Sequence, residues 1–100
     1  MIVIPLNAEP NQNLTITLDS IEHSLTIKEA GGAMVMTIVR DGETIISNTR
    51  LLSGTLIIPY SYLEAGNFVF LTDDEEMPYY TEFKRQTLLY VSADEMEQYR

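Results

Sequence analysis

The residues best placed to do chemistry form one acidic run, Asp73, Asp74, Glu75 and Glu76. Calcium takes several carboxylate oxygens as ligands, so one interpretation of this run is a calcium site. The run lacks the Asp-x-Asp-x-Asp-Gly spacing that wraps a loop around an ion, which argues against a metal. Two alternatives stay open: a patch that docks a basic partner, and a solvated loop that keeps neighbouring strands soluble. We predict no metal and no cofactor here.

His23 is the one histidine of the chain. A zinc site needs several strong ligands, and the sequence places no such partners beside this histidine. His23 shares the alternation of Leu25 and Ile27, which predicts that its side chain faces inward near the start of a strand. We therefore interpret His23 as a structural or surface residue rather than a metal ligand.

Nothing else in the sequence has the pattern of a catalytic site. No serine lies in the Gly-x-Ser-x-Gly elbow that exposes a nucleophile, and the five glycines form no phosphate-binding loop. The chain has no cysteine, which excludes disulfides, thiolate metal sites and cysteine nucleophiles. Carboxylate pairs suited to acid–base work arise by chance in an acidic chain. We predict that the protein is not an enzyme.

Tyr79 and Tyr80, beside the acidic run, are candidate interface residues. The chain has six tyrosines and no tryptophan. Tyrosine is common at protein interfaces because it joins a large apolar area to a polar tip, but it is equally common on ordinary β surfaces. The sequence leaves both interpretations open for these two side chains.

Ile2 and Ile4 are also candidate interface residues, because they lie in an apolar N-terminal strand. An exposed strand edge can pair with another chain, whereas Pro5 would block such pairing. Phe68 and Phe70 are further candidates for packing against a partner. The alternative for all four side chains is that they lie in the protein's own core.

The charge of the chain restricts its partners. It has 100 residues with 15 acidic and 6 basic side chains, a formal net charge of −9. Nucleic-acid phosphates and anionic membrane surfaces repel such a chain, so we predict neither as a partner and favour a basic protein. The apolar N-terminus is too short for a signal peptide, and no apolar run approaches the length of a transmembrane helix.

Two predicted hairpins form much of the scaffold that positions the candidate residues. Apolar-rich runs at 34–39 and 43–47 flank Asp41-Gly42, the dipeptide suited to a type I′ turn. Alternating runs at 14–18 and 23–27 predict a second hairpin around a turn at residues 19–22. Residues 7–13 are rich in turn formers and predict a loop.

The remaining segments predict further short elements. Strands are expected at 1–6, 55–58, 67–71 and 87–91. The strand at 67–71 is apolar on both faces, which predicts cover on both sides. Residues 60–66 predict either a helical turn or a loop, and Ser92 with Glu95 forms a capping-box pattern for a short terminal helix or a frayed tail.

These elements predict an all-β fold. The spacing of strands and turns favours a small antiparallel β-sandwich or a barrel of hairpins, with residues 92–100 as a short C-terminal helix or flexible tail. The length fits a single β domain over residues 1–100.

The order of these motifs carries a family resemblance. The motifs are Ile4-Pro5-Leu6, Pro10-Asn11-Gln12, the alternating run 14–18, Arg40-Asp41-Gly42-Glu43, Asn48, Leu51-Leu52 before Gly54, the run 66–70, and Leu88-Leu89-Tyr90. In that order they resemble the baseplate plug proteins of contractile-tailed bacteriophages. The resemblance spans residues 2 to 91, and the acidic run and the tail after Ser92 fall outside the recognisable pattern.

The resemblance implies a virion structural protein of the tail baseplate, made in the host bacterial cytoplasm. It implies several copies about the tail axis and contacts with hub, spike or tube-like proteins, and it carries over no catalytic or metal residues. The alternative is a soluble β-domain that binds a carbohydrate or peptide in a groove lined by Tyr60, Tyr62, Tyr79 and Tyr80.

Overall fold

Two antiparallel β-sheets make up the fold in this computed structural model, which describes residues 1–58, 66–73 and 76–96. The strands are β1 (Ile2–Ile4), β2 (Asn11–Leu18), β3 (Ile21–Ala30), β4 (Ala33–Arg40), β5 (Glu43–Arg50), β6 (Asn67–Leu71) and β7 (Thr87–Val91). A 3₁₀ turn covers Tyr80–Glu82, and a one-turn helix, α1, covers Ala93–Met96. The prediction of an all-β sandwich is confirmed.

The larger sheet has the strand order β2-β3-β4-β5 and is built from local hairpins. Asp41 and Gly42 both have positive φ, at 51° and 79°, as a type I′ turn requires. Asp19 and Ser20, at 52° and 62°, do the same between β2 and β3. Both predicted hairpins are therefore confirmed, although the second turn is tighter than residues 19–22 because β3 already begins at Ile21.

The smaller sheet has the strand order β1-β7-β6 and joins distant parts of the chain. Its register pairs Val3 with Leu89 and Leu89 with Val69. Strand β1 is shorter than the predicted 1–6: it ends at Ile4, directly before Pro5, which has no N–H to donate to a neighbouring strand. This sheet brings the N-terminus beside the last strand.

Two predictions of local structure are wrong. Residues 11–13 belong to β2 rather than to a loop, because they pair with residues 26–28 of β3. The side-chain amide of Asn13 also donates to Thr26 Oγ1 at 2.6 Å. Residues 55–58 form no regular strand. That segment makes an isolated bridge from Leu56 to Val69, with the Ile57 amide donating to the Phe68 carbonyl at 2.8 Å.

The capping box at the C-terminal end is confirmed. The Glu95 amide donates to Ser92 Oγ at 3.2 Å, and the Ser92 amide donates to Glu95 Oε1 at 3.0 Å. The predicted continuation beyond Met96 lies outside the described residues, as do residues 60–65 of the predicted turn or loop. Within the described part of the chain, no helix is long and apolar enough to cross a membrane.

The core lies between the two sheets, where alternate residues of each strand meet. The larger sheet contributes mainly Leu25, Ile27, Met36 and Ile38, and the smaller sheet contributes Ile4, Phe68, Phe70, Leu88 and Tyr90, all buried. The period-two alternation of the sequence thus selects the buried face of each strand. Gly66 precedes β6 where a Cβ would overlap the Tyr90 hydroxyl, so only glycine fits there.

Candidate interaction surfaces

A buried polar cluster ties the two sheets together at one end of the core. Arg40 Nε donates to His23 Nε2 at 3.0 Å, and Arg40 Nη2 donates to the Gly66 carbonyl at 2.7 Å. His23 Nδ1 lies 2.9 Å from the Ile21 carbonyl, so that nitrogen carries the proton and the ring is neutral. His23 has no exposed surface, which confirms its predicted inward orientation.

The same cluster reaches helix α1 through Tyr90. The Tyr90 hydroxyl donates to Asp19 Oδ2 at 2.6 Å, and the Ala93 amide donates to the same oxygen at 3.0 Å. These two hydrogen bonds lower the pKa of Asp19, and burial together with Asp19 raises the pKa of Tyr90. The polar side chains of this cluster are hydrogen-bonded to one another or to backbone groups, so we assign the cluster a structural role.

The stability of the protein is expected to fall as the pH decreases from 7 to 5.5. Burial, followed by the nearby Arg40 guanidinium, lowers the pKa of His23 below its ordinary value of 6.5. The unfolded chain therefore takes up a proton that the folded protein resists, and the unfolding free energy declines below pH 6.5 by at most about 1.4 kcal/mol per pH unit. Urea titrations at several pH values measure this slope.

The control for that titration is His23→Gln, which retains a hydrogen-bond acceptor but does not titrate. Its unfolding free energy is expected to stay level between pH 7 and 5.5. The carboxylates with lowered pKa, Asp19, Glu76 and Glu95, lose their contribution only at more acidic pH. An equal slope in the variant and the wild type would contradict the assignment to His23.

The acidic run is partly neutralised by one arginine. Arg85 donates to Asp73 at 3.2 Å, to Glu76 at 2.6 Å and to Glu82 at 2.8 Å. Hydrogen bonds from Arg85 and Gln86 lower the pKa of Glu76. These groups are solvent-exposed, so the ion pairs add little stability.

Two members of the run, Asp74 and Glu75, lie outside the described residues. Among the residues that are described, no group of three or more acidic or histidine side chains is arranged to hold a metal ion. The role of the run in docking a partner stays a prediction.

The other predicted interface residues lie in different environments. Ile2 is 48% exposed at the edge of the smaller sheet, whereas Ile4, two residues later, is 2% exposed in the core. Tyr79 and Tyr80 are half-buried, with ring centroids 4.9 Å apart, and both pack against the core. Gln86 links Tyr79 to the acidic run, because its oxygen accepts from the Tyr79 backbone amide and its nitrogen donates to Glu76. Ile2 lies in another strand, at the edge of the smaller sheet.

A shallow groove of about 270 Å³ involves Tyr79. It is lined by Gly32, Ala33, Met34, Arg50, Leu51, Met77, Pro78 and Tyr79. Tyr60 and Tyr62, which the carbohydrate or peptide alternative requires, lie outside the described residues. That alternative stays a prediction.

The outward side of the smaller sheet is apolar, which sequence reasoning missed. We call it the outer face and define it by Met1, Val3, Leu56, Val69, Leu71 and Leu89. Val3 of β1 is 63% exposed and Leu71 of β6 is 45% exposed, whereas Asn67 on the same side of β6 is 2% exposed. The expected cover on both sides of β6 is therefore present at its Asn67 end and absent at its Leu71 end. All but Val3, together with Gly54 and Val91, line a shallow groove of about 340 Å³.

The outward side of the larger sheet has the opposite character. There Thr15 and Thr17 of β2, Ser24 and Thr26 of β3, and Thr37 of β4 lie at alternate positions, and Val35 and Val39 of β4 lie beside them. Exposed apolar patches often mark sites of contact with other proteins, so the outer face of the smaller sheet is the stronger candidate for such a contact. Part of the signal was present in the sequence, because four of the six odd-numbered positions of β6 and β7 are apolar, namely Val69, Leu71, Leu89 and Val91, while Asn67 and Thr87 are polar.

Comparison with known proteins gives a match over nearly the whole chain. The family model described as "Cyanophage baseplate Pam3 plug gp18" matches residues 1–94. No curated protein matches the sequence. The matched region contains every strand of both sheets, and therefore the buried polar cluster and the outer face as well.

Proposed function

Since this chain belongs to the phage baseplate plug family, we propose that it plugs and braces the central hub and spike region of the baseplate through protein–protein contacts. Membership makes it a structural protein of the virion tail, associated with other baseplate proteins. The family is structural, which implies a protein that is not an enzyme. The family match also confirms the resemblance to baseplate plug proteins that the order of the sequence motifs indicates.

The observation that carries the proposal is the extent of the family match. It covers residues 1–94 and therefore every strand of the sandwich rather than one motif. The core supports a bracing role, because two sheets joined by aromatic packing and a satisfied polar cluster form a stiff unit.

A quantitative mass-spectrometric inventory of purified virions, together with density for the baseplate, tests the proposal. We expect a fixed small number of copies per tail, located near the tail axis and in contact with hub or spike proteins. Complete particles that lack the chain would contradict the proposal. Copies located only at the periphery of the baseplate would contradict the hub and spike contacts while leaving a baseplate role.

A further inference from the structure

The outer face offers a contact surface without charge. Its six side chains are all apolar, and Val3, Val69 and Leu89 lie side by side across three strands in one register. Leu56 extends the surface beyond β6 through its bridge to Val69. A partner that covers this face gains from the burial of apolar area, which is the main source of stability at a permanent interface.

Carboxylates border this face at both ends of its strands. Strand β6 leads from Leu71 to Asp73, whose side chain is 74% exposed, and to the neighbouring Glu76. Strand β7 runs antiparallel to β6 and leads at the opposite end to Asp94 and Glu95. Five strand residues span about 17 Å, so the apolar face lies between two acidic borders roughly that far apart.

The cations near these borders do not balance the carboxylates. At one end Lys84 and Arg85 accompany Asp73, Glu76 and Glu82, and Arg85 bonds to all three carboxylates. At the other end the Met1 ammonium group bonds to Glu95 at 2.7 Å, and Asp94 is exposed. Among the described residues, both ends therefore present an excess of negative charge to a partner.

This charge pattern disfavours a second copy of the chain as the occupant. In a two-fold contact the same patch faces itself, so the acidic borders of two chains would approach each other, and each chain has a net charge of −9. A partner with basic groups at the two borders gains Coulomb energy in the same arrangement.

We propose that the outer face docks this protein onto a different baseplate subunit, one whose contact surface is apolar at its centre and basic at both ends. The proposal rests on the proposed baseplate function and adds to it the face and the chemistry of the partner. The hydroxyl-rich side of the larger sheet then faces away from this partner.

Two matched double variants test the choice of face. V3K/L71K places two lysines on the outer face at its most exposed strand positions, and T15K/T17K places two on the hydroxyl-rich side. Both change the net charge by the same amount. Each is produced in the phage that encodes the chain, and the copies per purified tail are measured against the tail tube protein by quantitative mass spectrometry.

We expect V3K/L71K to be retained at least about tenfold less than the wild type, and T15K/T17K to be retained equally. Equal retention of both variants, or equal loss of both, would overturn the choice of face. Wild-type tails without the chain would instead overturn the proposed function, so the two failures are distinguishable. Thermal unfolding confirms that each variant folds, and the single Val3→Lys variant replaces V3K/L71K if that protein is unfolded.

The oligomeric state of the purified protein tests whether the partner is a different subunit or a second copy of the chain. Purified wild-type protein is expected to be a monomer at 100 µM, roughly a hundredfold above the dissociation constant of a micromolar contact, by light scattering. A dimer that V3K/L71K dissociates and T15K/T17K does not would show that a second copy occupies the face and would overturn the heterologous partner.

Discussion

Replacing Phe68 by alanine is expected to lower the free energy of unfolding by about 3–5 kcal/mol, the usual cost of removing a buried phenyl ring. Phe68 has no exposed surface and lies between the two sheets. Its ring centroid is 5.1 Å from that of Tyr90 and 5.9 Å from that of His23. The variant therefore loses apolar contact and leaves a cavity beside the polar cluster that joins the sheets.

Leu71→Ala on the same strand is the matched control for Phe68→Ala. Leu71 is 45% exposed and lies on the opposite side of β6. Its truncation is expected to cost about 1 kcal/mol or less, because little buried area is lost. Denaturant titrations monitored by circular dichroism measure both values. Similar losses for the two variants would contradict the placement of the core between the sheets.

The size of the Phe68 effect matters because small domains have only about 5–15 kcal/mol of stability in total. The variant therefore loses much of its margin of stability, and we expect fewer folded copies to be available for assembly at 37 °C. Leu71→Ala separates this route from a direct effect on docking, since it changes the outer face while the core stays intact.

The hairpins of the larger sheet were predictable because their information is local. Asp41 and Gly42 tolerate the positive φ angles of the turn, and the alternation on either side fixes which residues face inward. The strand at residues 11–13 was not predictable in this way. Asparagine and glutamine have weak strand propensity, and pairing with β3 overrides it.

The candidate surfaces depended on packing that no local pattern contains. Ile2 and Ile4 share a strand face, yet only Ile4 is covered by the larger sheet. The apolar character of β6 was visible in the sequence, but whether another element covers its second face depends on the arrangement of the whole chain. Asp73 and Glu76 were found as a charged run, whereas their shared partner Arg85 follows several residues later in the sequence.

Asn67 holds an irregular segment against the core, a role that the sequence pattern did not predict. The side chain is 2% exposed, and its amide donates to the Ile58 carbonyl at 2.8 Å. Its oxygen accepts from the Ile58 amide, also at 2.8 Å. The Asn67 side chain thus supplies hydrogen-bond partners for both the amide and the carbonyl of Ile58, a buried residue that lies outside the regular strands.

Replacing Asn67 by leucine is therefore expected to lower the free energy of unfolding by about 2–5 kcal/mol. The amide and carbonyl of Ile58 lose their partner, and so does the Phe68 amide, which donates to the same Asn67 oxygen at 2.7 Å. Each unpaired buried group costs about 1–3 kcal/mol, and the added apolar contact offsets part of this. Denaturant titration gives the total loss. Hydrogen exchange at the Ile58 amide shows whether the loss arises there, since that proton is expected to exchange much faster in the variant.

Asn13→Leu is the control, because Asn13 also donates a side-chain hydrogen bond within the sandwich, but on the exposed side of β2. Water replaces that bond when it is removed, so the expected loss is below about 1 kcal/mol. The contrast isolates burial as the cause, since the two substitutions are chemically identical. Equal losses at the two positions, or unchanged exchange at Ile58, would show that Asn67 does not hold this segment in place.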